Sequence, residues 1–299
     1  MAILENVRGI KVTVCTDGQA LQEYDDDAPE GVPAGVEGYD EAPRTVSKYI
    51  ESATGKAFYI KLEISKAYKF DSPIVSFQDF VDGIKVSSKH GGKKDIPLTI
   101  KLRGARMELD NRQAFVMPFK FSGIITSTND SKLASIKEDA TRLSVVGEIV
   151  IKVHRRGPRV VSQNQSSKLN ASKKFAADSS ASVHEKALKG QAISHNTTLG
   201  APQAAKATVL YKMSYRDGKE HPIAIYRFKY RSKESLKSLL ILERAPEPSP
   251  SPSPAPGNGA QSNRERKIKR EREETNSKTN KRSKRGERVE IDLTGDQSD

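Results

Sequence analysis

The sequence predicts a mainly β fold, an antiparallel β-sandwich with a short C-terminal helix, followed by a disordered tail. Seven segments of the first half have strand-like periodicity: residues 10–15, 45–50, 57–64, 75–81, 96–103, 114–121 and 145–153. Turn dipeptides punctuate the chain, with Asp82-Gly83 and Asp217-Gly218 favoured in hairpins and Asp110-Asn111 marking a further break. Proline then recurs at every second position from Pro246 to Pro256, which favours an extended spacer over packed structure. Seven or more short strands with such turns argue for an antiparallel sandwich rather than a parallel sheet.

The individual elements follow from side-chain alternation. Phe58, Ile60, Leu62 and Ile64 fall on one face, with Tyr59, Lys61, Glu63 and Ser65 on the other, the two-residue period of a strand packed on one side. Ile149, Ile151 and Val153 likewise oppose Val150, Lys152 and His154. Residues 156–183 lack a strong apolar period and read as a flexible insertion. Val209, Tyr211, Met213 and Tyr215 alternate up to the Asp217-Gly218 turn, and residues 223–230 return, so a late hairpin is expected to complete the sandwich. Ser232 is placed as an N-cap with Glu234 in the first turn, and Leu236, Leu239 and Leu240 form an apolar stripe for packing on the sheet.

Composition bounds the rest. An apolar share of 35% and a mean hydropathy of −0.64 over 299 residues lie below a fully globular composition, so part of the chain is expected to be unfolded. The single cysteine, Cys15, excludes an intramolecular disulfide and an all-cysteine metal site. Glu5 and Arg8 interrupt the apolar core a signal peptide needs, and no later stretch approaches a membrane span. The net charge of +13 is laid out in blocks: residues 1–43 carry two basic and ten acidic side chains, residues 155–190 eight and two, and residues 264–288 twelve and five. Such blocks usually lie in solvated segments, so the overall basicity is weak evidence for a DNA-binding fold.

The tail divides into a Pro/Ser-rich spacer (245–263), a basic segment (264–288) and an acidic end (289–299). Lys269 and Arg270, ten intervening residues, then Lys281, Arg282, Ser283, Lys284 and Arg285 resemble a bipartite nuclear localisation signal. Val289, Glu290, Ile291, Asp292, Leu293 and Thr294 resemble a SUMO-interacting motif, departing from the usual pattern where Glu290 precedes Ile291. A segment of this kind adds as a strand to a partner's sheet edge, setting Val289, Ile291 and Leu293 in an apolar groove while its acids meet a basic rim. Because it orders on binding, its monovalent affinity is expected to be on the order of micromolar or weaker.

Residues 1–244 carry a second resemblance. The blocks GIKVTV (9–14), EYD (23–25), TVSKYIE (45–51), EKALKG (185–190), Ser194 with His195, and IYRFKYRSKESL (225–236) resemble a fungal family known as a domain of unknown function. The resemblance implies a filamentous-fungal origin and a compact, largely β domain. It implies no reaction and carries over no catalytic residue.

Enzymatic constellations are poor. His90, His154, His184, His195 and His221 show no metal-ligand spacing, and there is no dinucleotide fingerprint, phosphate loop or nucleophile elbow. Residues 52–56 (SATGK) end like a phosphate loop but lack its upstream glycine, so a hairpin turn is expected there. Asp25, Asp26 and Asp27 read as a solvated acidic loop rather than a cation site. Tyr226, Phe228 and Tyr230 alternate with Arg227, Lys229 and Arg231, and strand geometry sends rings and cations to opposite faces, an aromatic core face and a solvated basic face.

The expected function is that of a non-enzymatic nuclear protein-interaction module needing no cofactor and no membrane. Its expected partners are a nuclear import carrier, SUMO or SUMO-modified proteins, and an unidentified protein bound by the β domain. The basic tail adds salt-sensitive contact to nucleic acid. Two alternatives stay open: a chromatin-associated DNA- or RNA-binding protein, and an enzyme whose site, with Ser194 and His195 as its candidates, is assembled only in space.

Overall fold

Each of the seven expected strands forms, and they assemble into two sheets around one core. The computed structural model describes residues 2–26, 39–108, 113–128, 136–161, 171–180, 182–190, 192–206, 209 and 211–243. In chain order come β1 (Ile10–Thr16), β2 (Gln19–Ala20), β3 (Glu23–Asp25), β4 (Thr45–Glu51), β5 (Ala57–Ile64), β6 (Ile74–Val81), β7 (Ile84–Gly92), β8 (Leu98–Leu102) and β9 (Gly104–Glu108). Next are β10 (Ala114–Gly123), β11 (Thr126–Ser127), α1 (Ile136–Leu143), β12 (Glu148–Arg156), β13 (Val160–Val161), α2 (Ala171–Ser180) and β14 (Val183–His184). Last come α3 (Glu185–Leu188), β15 (His195–Leu199), β16 (Gln203–Ala205), β17 (Tyr211–Lys212), β18 (Ala224–Arg231) and α4 (Lys233–Ser238).

One sheet runs β15-β10-β5-β1-β2, with β8 added to β5 and β9 and β16 added to β10; the other runs β3-β4-β18-β12-β6-β7. The alternating apolar faces meet in one cluster that joins Val12, Ile60 and Leu62 of the first sheet to Phe77, Ile149, Ile151 and Phe228 of the second. Burying each such side chain contributes about 1.5–3 kcal/mol, so the facing rows of β5 and β12 hold the layers together. Phe58 stacks on Phe121 at 4.3 Å, and Phe121 packs on Tyr230 across the sandwich at 5.0 Å. Asp82 and Gly83 turn β6 into β7 with φ of 50° and 71°, the positive values that a two-residue hairpin turn of this type demands.

Several expectations are corrected. The sandwich is not wholly antiparallel, because β18 pairs β4 in parallel register from Ile225 opposite Thr45 to Arg231 opposite Glu51. Residues 52–56 are not a hairpin turn: they lead from β4 in one sheet to β5 in the other. The late hairpin does not form either. Arg156 bridges to Tyr215 and β13 pairs β17, so the chain before the Asp217-Gly218 turn extends from β12, while β18 inserts between β12 and β4. Tyr215 holds that place by lying 3.3 Å from the Arg156 guanidinium.

Within 156–183 the segment read as a flexible insertion includes α2, whose Ala171 and Phe175 are buried in the main core. A single large apolar anchor per helix leaves little period to detect in sequence. In the C-terminal helix Ser232 Oγ accepts from the Ser235 amide at 3.2 Å, as an N-cap should. The leucine stripe is cut short: Leu236 is buried, whereas Leu240 takes a φ of 59° beyond the helix end and is 74% exposed.

Candidate functional site

A cleft lies where the segment before β1 meets the β5–β6 connection, the end of β12 and the residue before β18. Asn6, Val7, Arg44, Tyr68, Lys69, Asp71, Arg155 and Ile223 line this cleft of about 300 Å³, the lower end of the range of ligand sites, about 300–1,000 Å³. Gly9 sets the place of Tyr68, one of the lining residues. With φ of 97° it lets the backbone of Tyr68 approach so closely that a Cβ would lie 2.3 Å from the Tyr68 nitrogen. Val7 and Tyr68, both buried, form an apolar floor.

The cleft walls are cationic. Arg155 is spoken for: its Nε donates to Asp217 at 2.8 Å and its terminal nitrogens pair with Asp217 and Asp71. The hydrogen bonds from Arg155 hold the Asp217 carboxyl below the usual carboxylate range. Arg44 lies 4.9 Å from the Tyr39 ring centroid, and neither Arg44 nor Lys69 makes an ion pair among the described residues. Two cations with free donor capacity thus face a cleft whose carboxylate, Asp71, already has its own arginine.

His195 sits elsewhere, at the start of β15, only 6% exposed. Its Nδ1 lies 3.1 Å from both Ser52 Oγ and Ser194 Oγ, and its Nε2 lies 2.8 Å from Thr54 Oγ1. Burial lowers its pKa, which favours the neutral imidazole. Ser194 Oγ in turn accepts from the Ser232 amide at 2.8 Å, and the Ser52 amide donates to the Arg231 carbonyl at 2.7 Å. The ring therefore ties the β4–β5 crossing to the junction of β18 and α4. Ser194 and His195 do come together with Ser52, but the ring does not line the cleft.

A second polar centre is Asp82, which a sequence reader sees only as a turn residue. Its Oδ1 accepts from the Gly147 amide at 2.9 Å and the Tyr230 hydroxyl at 2.5 Å, and its Oδ2 accepts from the Thr197 amide at 2.7 Å. Burial raises its pKa to about 6 while these donors restrain the rise. A cavity of about 30 Å³ beside it, room for a water, is lined by Asn196, Arg142 and Phe175 among others. Leu143, Val183 and Ala187 close this end, with Ala187 supplied by the EKALKG block. His184 starts that helix by accepting the Lys186 amide at 3.2 Å on Nδ1.

On β18, Tyr226, Phe228 and Tyr230 are fully buried in the core, as the alternation requires. Its opposite face is not the solvated basic surface expected. Lys229 is 4% exposed and pairs with Asp26 at 3.0 Å, and the Arg231 guanidinium donates to the Gly147 carbonyl at 2.8 Å. Asp26 is thus half of a buried ion pair rather than part of a solvated acidic loop, covered by β4, whose Ser47 hydroxyl donates to Asp26 and whose Tyr49 ring lies 5.4 Å from the Lys229 ammonium. Asp25 behaves as expected, exposed and paired with Lys48.

The nuclear-localisation residues Lys269, Arg270, Lys281, Arg282, Lys284 and Arg285, and the SUMO-motif residues Val289, Glu290, Ile291, Asp292, Leu293 and Thr294, lie outside the described residues. Asp27 and the Asp110-Asn111 break do so too. No group of three or more metal-ligating side chains gathers among the described residues, and no described helix is long and apolar enough to cross a membrane.

No curated protein and no solved structure matches the chain. A family model described as a domain of unknown function (DUF7918) matches residues 9–245, which takes in both sheets, the His195 and Asp82 centres, and the cleft apart from Asn6 and Val7. By that match, covering most of its length, the chain belongs to the DUF7918 family of domains of unknown function.

Proposed function

We propose that the chain is a non-enzymatic nuclear interaction module of fungal origin, in which the β domain binds a protein partner and the tail supplies import and SUMO binding. The observation that carries this is the order of the tail: a proline-rich spacer, the split basic cluster at Lys269–Arg270 and Lys281–Arg285, then the acidic aliphatic strand Val289–Thr294. Linking two binding elements by such a spacer raises the effective concentration of whatever the domain holds at SUMO-modified assemblies. Two features of the domain support the reading over its alternatives. The aromatic rings of β18 are sealed in the core, so they offer no stacking platform for nucleic acid. The Ser194–His195 pair is engaged by hydroxyls and backbone as a structural tie.

The test uses the full chain. Ile291→Ala with Leu293→Ala should abolish retention on immobilised SUMO and leave nuclear import intact, whereas replacing Lys281, Arg282, Lys284 and Arg285 by alanine should do the reverse. Unchanged SUMO retention in the first variant would refute the motif.

A further inference from the structure

The geometry points to the cleft at Arg44, Lys69 and Arg155 as a receptor for a phosphate monoester, presented as phosphoserine on a partner peptide. Volume and chemistry both favour it. An opening of about 300 Å³ accepts a side-chain-sized group, and its floor of Val7, Tyr68 and Ile223 suits the apolar part of a peptide. Along the wall the Arg44 fork and the Lys69 ammonium have no ion-pair partner among the described residues, and the Asn6 amide nitrogen, which donates to the Pro43 carbonyl at 3.4 Å, has a second hydrogen to give. A planar fork beside a mobile point charge matches a tetrahedral dianion better than a lone carboxylate.

The surrounding charges have the sign this requires. Arg155 and Arg216 hold Asp71, through its carboxylate and its backbone carbonyl respectively, and Arg155 also holds Asp217. Of the charged groups that line the opening, Arg44, Lys69 and Arg155 exceed Asp71 by two positive charges, the charge of a fully ionised phosphate monoester. Asp40 and Glu41 precede Arg44 in sequence and do not line the cleft, and Asp40 accepts the Ala42 amide at 3.1 Å. Arg155, already anchored, serves as a rigid wall rather than a hand that must reorganise, so the ordering cost falls on Arg44 and Lys69 alone.

This deepens the reading of the domain as an interaction module, and the experiment keeps the two separable. A fluorescent phosphoserine peptide with neutral flanks is titrated with the full chain, its unphosphorylated twin serving as reference and inorganic phosphate as competitor. Because the basic tail also attracts phosphate, the decisive comparison is with Arg44→Gln/Lys69→Gln in the same full chain, its fold checked by an unchanged melting temperature. The expected result is phosphate-dependent binding that this variant weakens by about tenfold or more and that Ile291→Ala/Leu293→Ala leaves untouched. Displacement by inorganic phosphate, with the peptide binding no tighter than phosphate itself, would mark a free phosphate as the source and leave the site standing. Equal binding by the cleft variant, or by the unphosphorylated peptide, overturns the proposal.

Discussion

Two aspartates three positions apart, Asp79 on β6 and Asp82 in the turn after it, are both buried, yet they stand in opposite relations to the fold. Asp82 gathers donors from Gly147, Thr197 and Tyr230, segments 65, 115 and 148 residues away. Asp79 faces the core from the middle of β6, with Ile151 opposite it on β12, and neither of its carboxylate oxygens has a hydrogen bond of normal geometry. Burial raises its pKa to about 7, and Lys89, Ser87 and Lys85 offset only part of that rise. Burial alone therefore does not define a role for an acid. Satisfied, it fastens three segments together; unsatisfied, it is a cost the rest of the core carries.

The sharpest way to break the contrast is Asp82→Ala. The change leaves two buried amides and a buried tyrosine hydroxyl without their acceptor, and it puts alanine at a φ of 50°. A loss of about 4 kcal/mol or more is expected in chemical denaturation. Asp82→Asn, which tolerates that backbone but meets the Thr197 amide with a donor or loses its second acceptor, should cost less. Since only alanine is strained at that φ, equal losses for the two variants would show that the carboxylate network, not backbone strain, sets the cost.

Asp79→Asn should act in the opposite direction and only where the acid is charged. Because the folded pKa lies above the unfolded value, the folded state holds a proton that the unfolded state has released between about pH 4 and pH 7. Stability from this group is therefore greatest below pH 4, falls as pH rises and levels off above pH 7. The variant should be more stable than the parent by about 2–4 kcal/mol at pH 8, with the gain vanishing near pH 4. His154 runs the other way, since burial lowers its pKa to about 4 and its contribution is lost on acidification. The difference between variant and parent, rather than the parent's own profile, isolates Asp79. A difference that does not change with pH would mean the carboxyl stays protonated throughout.

The unequal legibility of these sites has a physical cause. Strand positions were readable because alternation is local, and Asp79 itself is visible in sequence as an acid on the Val75, Phe77, Val81 face. The Asp82-Gly83 turn was readable for the same reason, but its role as a hub was not, since its partners are brought in by the topology. The cleft was invisible for that reason too, drawing on residues from Asn6 to Ile223. The late hairpin is absent for the same physical reason. Two alternating segments with a favoured turn between them look paired, and only the competition of β12 for both decided otherwise.

The smallest effect is the most discriminating. Tyr230→Phe removes one hydroxyl that donates to Asp82 and lies 2.9 Å from Thr197 Oγ1, and it leaves the ring's packing on Phe121 in place. The lost hydrogen bonds should cost about 1–2 kcal/mol. The pH dependence carries the further information. Since the tyrosine hydroxyl restrains the Asp82 pKa, its removal lets that pKa rise further above the unfolded value. The penalty should therefore be larger at pH 8, where the carboxylate is ionised in both states, than at pH 4, where it is protonated in the folded state. Denaturation midpoints of parent and variant at the two pH values measure this directly. A penalty of equal size at both would mean that Asp82 does not need the hydroxyl to hold its charge, and that the two backbone amides alone separate it from Asp79.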